Sequence, residues 1–362
     1  MTYADAFSAD YFTARNRFRE AATALGAKLE AHPIESRAPN GEPLTIDVAI
    51  LGAANARRIA IVSSGLHGVE GFFGSAVQLA WMTGDLNART LPLDTAVVLM
   101  HALNPYGFAW RRRCNEDNAD LNRNFLLPGE EYRGSPPRYA QLDRFFNPPS
   151  PPTTGEPFRL KAIALLLRYG LTSLKETLPV GQYDFPQGLF FGGHQPSQTQ
   201  EILATHLSRW IGSAKRVLHL DLHTGLGQRG TYKLLLGEST PPNRIDWFMR
   251  QFGEDVVEVS QPGGTSYRTR GSLGGWCRAR FSGDRYDFAL AEFGTYPLLT
   301  VLAALRAENR AHWWAKPDSR VWERSKRRLV EAFAPADIRW REMAVSQALE
   351  LVDRALFASS DS

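Results

Sequence analysis

Cysteine is nearly absent from the 362 residues, with only Cys114 and Cys277 present. That excludes a disulfide-stapled scaffold and a structural zinc site built on several thiolates, and it suits a reducing compartment. No stretch approaches the roughly 20 consecutive apolar residues of a membrane helix. Met1 to Glu20 lacks the basic start and apolar run of a secretory leader, so the expected location is cytoplasmic, with no membrane partner. Lysine is scarce too: it supplies 7 of the 42 basic residues, and arginine the other 35. The densest basic runs, Arg111 to Arg113 and Lys326 to Arg328, are three residues each, so no nucleic-acid footprint is visible. Guanidinium groups in such number serve either surface ion pairs or the recognition of carboxylates.

What is present is an ordinary globular composition, 43% hydrophobic, 22% charged and 11% aromatic at a formal net charge of +4. Such a chain is long enough for a sizeable core, and without repeats or low-complexity tails it is read as one domain over 1–362. Apolar spacing predicts an N-terminal helix over about 10–31, closed by Pro33. Strands are expected at Leu44 to Leu51 and Arg58 to Ser63, the latter with the β-branched run of a buried central strand. A helix over Phe72 to Met82, a strand over Thr95 to His101 and a turn at Asn104-Pro105-Tyr106-Gly107 follow. The segment 145–157 holds five prolines and reads as an insertion crossing the surface. Helices at 158–174 and 197–211, strands at 215–222, 231–236 and 286–291, and a mostly helical segment over about 297–358 complete the pattern. Interleaved strands and helices argue for an α/β fold with a mostly parallel or mixed sheet, in which polar strand ends gather in one crevice.

The informative residues fall at those ends. His67 and Glu70 follow a predicted buried strand, and Gly65, Gly68 and Gly71 let the backbone turn tightly while two metal-capable side chains converge. A catalytic zinc commonly takes three protein ligands, two His and one Glu among the options, and keeps a position for water. Alone, an HxxE pair has a plainer reading as a surface or helix-capping His beside an unrelated Glu. A further ligand is offered by Val217-Leu218-His219-Leu220-Asp221-Leu222-His223, where His219, Asp221 and His223 alternate with leucine and project from one strand face. His223 lies nearest the exposed carboxyl end and is taken as the ligand. Asp221 is placed to orient an imidazole from behind, and His219 reads as a hydrogen-bonded core histidine. Glu292 ends the apolar run Phe288 to Ala291; there it either accepts and passes on a proton or pairs with an arginine. Arg113, Asn122 and Arg123 supply donors for a carboxylate or a developing oxyanion.

In combination these motifs resemble the zinc carboxypeptidases. His67-Gly-Val-Glu70, the Asn104-Pro-x-Gly turn, Arg113 ahead of Asp120-Leu-Asn122-Arg123-Asn-Phe, His223 and then Glu292 stand in the order that the carboxypeptidase A-like (funnelin) family uses. The likeness is to a bacterial branch with HGVEG, DLNRNF, DLHTG and EFGT, and it spans roughly Ile61 to Pro297. It implies a three-layer α/β/α domain around a mixed, eight-stranded twisted sheet, with one Zn2+ held by His67, Glu70 and His223. It also implies that Asn122 and Arg123 hold a terminal carboxylate, Arg113 polarises the scissile carbonyl (Arg112 being the neighbouring alternative), and Glu292 is general base and acid.

The implied activity is a metallocarboxypeptidase acting on small peptides. The alternatives are an N-acyl amino acid deacylase, of which DLHTG is reminiscent, and a non-catalytic carboxylate-binding protein. The chain departs from the family pattern at Gly271 to Arg278, shaped like the family's mobile loop but without its tyrosine. Tyr267 and Tyr286 flank that stretch, and neither is assigned the role. Tyr106 replaces the usual Asp of the NPDG turn, and the spacer from Glu70 to His223 is long. His101, His194 and His206 are the remaining candidates for a second metal, and Trp276, Trp110 and Phe190 to Phe191 for a pocket wall.

Overall fold

The computed structural model describes residues 2–84, 91–153, 155–170, 177, 179–259, 269–281 and 285–358; Tyr267 lies outside them. In chain order the elements are α1 (Tyr11–Ala24), β1 (Lys28–Arg37), β2 (Pro43–Gly52), β3 (Arg58–Ser64), α2 (Gly71–Thr83), β4 (Thr95–His101) and α3 (Pro105–Ala109). There follow α4 (Tyr139–Phe146), α5 (Phe158–Tyr169), α6 (Gln198–Ile211), β5 (Arg216–Thr224), β6 (Tyr232–Leu236), α7 (Pro242–Phe252) and β7 (Val257–Val259). The chain closes with α8 (Leu273–Arg280), β8 (Tyr286–Phe293), α9 (Leu298–Trp314), α10 (Arg320–Phe333) and α11 (Ile338–Phe357).

Among the described residues the strands form one mixed eight-stranded sheet in the order β1-β2-β4-β3-β5-β8-β6-β7. The central strands β4, β3, β5 and β8 run parallel. Buried on both faces, β4 and β3 carry continuous apolar runs rather than alternation with polar residues. Period-two geometry still sorts their side chains. Ala60, Val62, Val97, Leu99, Leu218, Leu220 and Leu222 join the core under α2 and α11, while Ile59, Ile61, Val98, Met100 and Val217 join the core under α6 and α8. Helices thus cover both faces, as the α/β/α expectation required. In β5 the second face is the one that carries His219, Asp221 and His223. No helix of the described residues is long and apolar enough to cross a membrane.

Three local readings are corrected. The first helix, capped by Asp10 accepting from Thr13 N at 2.8 Å, buries Tyr11, Ala14, Phe18 and Ala22 and stops at Ala24 instead of near 31. Gly26, at φ +69°, turns the chain, and residues through Arg37 form the edge strand β1 with Pro33 inside it. The Asn104 turn opens a short helix, α3, with Asn104 Oδ1 accepting from Gly107 N at 2.7 Å. The stretch taken for a loop at 271–278 is mostly helix α8, capped by Ser272. Its Gly274 packs where an added Cβ would sit 2.4 Å from the Phe288 ring, which is why a glycine-rich segment is helical here.

Candidate metal centre and active site

The turn that carries His67 and Glu70 is docked on the segment that carries Arg113. Gly68 N and Val69 N donate to the carbonyls of Arg113 and Arg112 at 3.1 and 2.7 Å. The approach needs glycine: a Cβ on Gly68 would fall 2.1 Å from the Gly107 carbonyl carbon. From the sheet, β5 and β8 pair in register with His223 opposite Glu292, so one ladder sets a candidate ligand beside the candidate base. Asn122 and Arg123 lie in a one-turn 3-10 segment beside α8, with Asn122 Oδ1 accepting from Leu273 N at 3.1 Å. The amide therefore offers its NH2 end as donor.

At the centre, His67 Nδ1 and His223 Nδ1 approach the two oxygens of Glu70 at 2.9 and 2.8 Å and lie 3.1 Å from each other. Behind each ring stands a carboxylate. Asp120 Oδ1 is 3.0 Å from His67 Nε2, and Asp221 Oδ2 is 2.6 Å from His223 Nε2. Each aspartate stands behind an imidazole whose Nδ1 faces Glu70, the arrangement by which carboxylates orient metal-binding imidazoles, and Arg113 Nη2 also lies 2.8 Å from His67 Nε2. Ligand atoms of His67, Glu70 and His223 all lie within 4.8 Å of one another, and the three residues are buried. Two imidazole nitrogens and one carboxylate oxygen converging without a fourth protein ligand fit an open metal site rather than a closed structural one. Among the described residues no other group of this kind is found.

The buried charges of these groups act strongly on one another. Burial alone would raise Glu70, but His67 and His223 outweigh it and hold the carboxyl below its usual range. Burial would lower His223, yet Asp221 and Glu70 hold it well above. For Asp120, burial is overcome by Arg113, His67 and Arg123. Glu292 behaves oppositely: burial and then the Glu70 charge push it up to about 7, the poise of a group that exchanges a proton near neutrality. Its Oε1 accepts from Leu226 N at 2.8 Å.

His67, Glu70, His223 and Glu292 line one cavity of about 970 Å³, together with Arg113, Asn122, Arg123, Phe190 and Trp276. The two consecutive arginines part company here. Arg113 reaches the site, with Nε donating to Asp120 Oδ2 at 2.9 Å and Nη1 3.4 Å from Glu70 Oε1. Arg112 turns away and is buried against Glu308 and Asn118 at 2.9 and 2.7 Å. Arg123 donates to the carbonyls of Pro179 and Asn122. His219 is the core histidine expected, bonded to Ser63 and Tyr286; Tyr286 is itself buried at the start of β8. His101 stacks on Phe18 and His206 on Trp210, apart from the centre, and Trp110 stacks on Tyr106. Sequence reasoning missed the role of Asp120. Its signal was available, since it opens the same motif as Asn122 and Arg123, but the pairing with His67 exists only across 53 residues of chain.

An α/β fold with a mixed sheet and a His-Glu-His group able to hold a metal ion is thus defined. The chain belongs to the family described as "Protein of unknown function (DUF2817)", whose model matches residues 7–347. No curated protein matches it in sequence. Among solved structures it is similar to carboxypeptidase A from Helicoverpa armigera, at 12% identity and TM-score 0.49, covering 91% of this chain and 74% of that one. It is also similar to a metallo-carboxypeptidase from Burkholderia cenocepacia, at 14% identity and TM-score 0.41, covering 92% and 68%. A third is the murein-tripeptide amidase MpaA from Escherichia coli O157, at 16% identity and TM-score 0.37, covering 80% and 93%.

Proposed function

We propose that the protein is a zinc-dependent hydrolase that cleaves an amide bond next to a free carboxylate, the chemistry of a carboxypeptidase, with the whole chain as one catalytic unit. The observation that carries this reading is the convergence of two aspartate-backed imidazoles and Glu70 on the wall of a cavity shared with Glu292 and two guanidinium groups. Zinc held by His67, Glu70 and His223 would polarise the scissile carbonyl and acidify water. Arg123 and the amide NH2 of Asn122 hold the substrate carboxylate and so fix where the scissile carbonyl lies. Arg113 donates to the carbonyl oxygen as negative charge grows there. Glu292, poised near neutrality, takes a proton from the attacking water and delivers it to the leaving nitrogen.

Elemental analysis of the purified protein is expected to give about one zinc per chain. Hydrolysis of a panel of dipeptides, murein peptides and N-acyl amino acids is expected to disappear on chelation and return with zinc. A protein that neither holds nor takes up zinc, and turns over none of the panel, would instead be a carboxylate-binding protein.

A further inference from the structure

The long spacer between Glu70 and His223 is not spent on surface loops alone. It includes α4 and α5, and these pack with α9 to build one side of the cavity. Every residue that α4, α5 and α9 place in the wall is apolar, among them Phe145, Phe146, Leu165, Leu166, Leu302 and Leu305. This wing is continuous with the hydrophobic cluster of Tyr139, Leu142, Phe146, Phe190 and Leu305. Phe190 marks the boundary: its ring centre lies 5.4 Å from the Arg113 guanidinium carbon and 6.0 Å from that of Arg123. The α4–α5–α9 side of the cavity is therefore hydrocarbon, while Arg113, Asn122 and Arg123 supply donors for an anion elsewhere in its wall.

A peptide running into the wing would bring an N–H and a C=O with each residue. The three helices spend their own backbone groups internally and, among the described side chains, offer no polar group there, so amides laid along them would be buried without partners. An alkyl chain has no such groups to satisfy and gains with every methylene removed from water. We propose that the group on the acyl side of the scissile amide is a medium- or long-chain hydrocarbon, so that the substrate is an N-fatty-acyl amino acid. The inference rests on the hydrolase reading above. In the reaction, water adds across the amide: its oxygen bonds to the acyl carbon, the C–N bond breaks, and the proton passes through Glu292 to nitrogen, giving a fatty acid and an amino acid.

N-acylglycines from acetyl to hexadecanoyl test this, because glycine leaves chain length as the only variable. Binding is measured by calorimetry on the zinc-loaded Glu292→Gln protein below the micellar concentration, and turnover on the wild type. Affinity and kcat/KM should each rise about fourfold per methylene until the wing is full. Leu165→Trp, confirmed folded by its melting temperature, should end that gain several methylenes earlier. A flat binding series, or glycyl dipeptides bound as tightly as dodecanoylglycine, overturns the inference; if dipeptides are then hydrolysed, the hydrolase reading survives without it. Chain-length-dependent binding with no hydrolysis of any member supports the wing and overturns the hydrolase reading.

Discussion

Arg112 and Arg113 are adjacent in the chain and end in two charged regions of opposite character. Arg112 enters a closed group in which Glu308 Oε1 accepts both from Arg112 Nε at 2.9 Å and from Lys326 Nζ at 2.6 Å, all of it buried. Cations outnumber carboxylates there, and burial pushes Lys326 down to about 8 against the pull of Glu308. Arg113 enters the opposite imbalance: Glu70, Asp120 and Glu292 crowd two imidazoles beside an open cavity, with Asp221 behind His223. The first region spends its one carboxylate on two cations and leaves Arg112 Nη1 buried without a hydrogen bond. The second gathers four carboxylates around two imidazoles on the wall of a cavity that a cation can enter. Burial of charge by itself therefore says little; which sign is in excess, and whether a cavity reaches it, separates a structural cluster from a reactive one.

The sharpest way to test that separation is Glu292→Gln, which should lower turnover by about 10²–10⁴-fold while zinc content and melting temperature stay as in wild type. Equal losses in stability would place Glu292 with the structural cluster. Its counterpart is Glu308→Gln, which leaves two buried cations without their carboxylate. It should cost about 3–5 kcal/mol in a denaturant titration, with zinc affinity unmoved in the protein that remains folded. Asp221→Asn removes the group that fixes the His223 tautomer, and chelator competition should show zinc held roughly 10–100-fold more weakly.

The smallest effect is in pH. Glu292 must be ionised to accept a proton, and a cation on Glu70 offsets one of the two causes that raise it. The acid limb of kcat/KM should therefore fall at or below about 7. In Glu308, burial is outweighed by Arg112 and Lys326, which depress it from 4.5 to about 2. Its contribution to stability is full above 4.5 and is lost as pH falls from there toward 2. Between about 4.5 and 7 the chain should be folded and slow, which circular dichroism and a rate assay at pH 5 can check together.

Much of this was legible in the residues. The apolar run Thr95 to His101 could only be a buried strand, and it is β4. His67, Glu70 and His223 stood out because glycines and leucines surround them in patterns that dictate where a side chain points. The chain concealed β1, since Lys28 to Arg37 is half-exposed, carries mixed polarity and contains a proline. It concealed α8 because the glycines that suggest a loop are demanded by neighbours: Gly271 and Gly274 face the Arg123 carbonyl and the Phe288 ring. Asp120 and the apolar wing were hidden for a different reason. Their meaning lies in contacts between segments far apart in sequence, which local periodicity does not encode.

Pro33, set within β1, has one more effect. Opposite it, Thr45 turns both its N–H and its C=O toward the Tyr11 hydroxyl, at 2.9 and 2.8 Å, so the proline nitrogen points outward from the sheet. A second copy attempting to extend the sheet by laying a strand along that flank would find a missing donor and an irregular register between Pro33 and Arg37. At the far flank the described part of β7 is three residues long. The β1 rim thus resists fibre-like stacking, a safeguard worth keeping in any variant raised for large-scale expression.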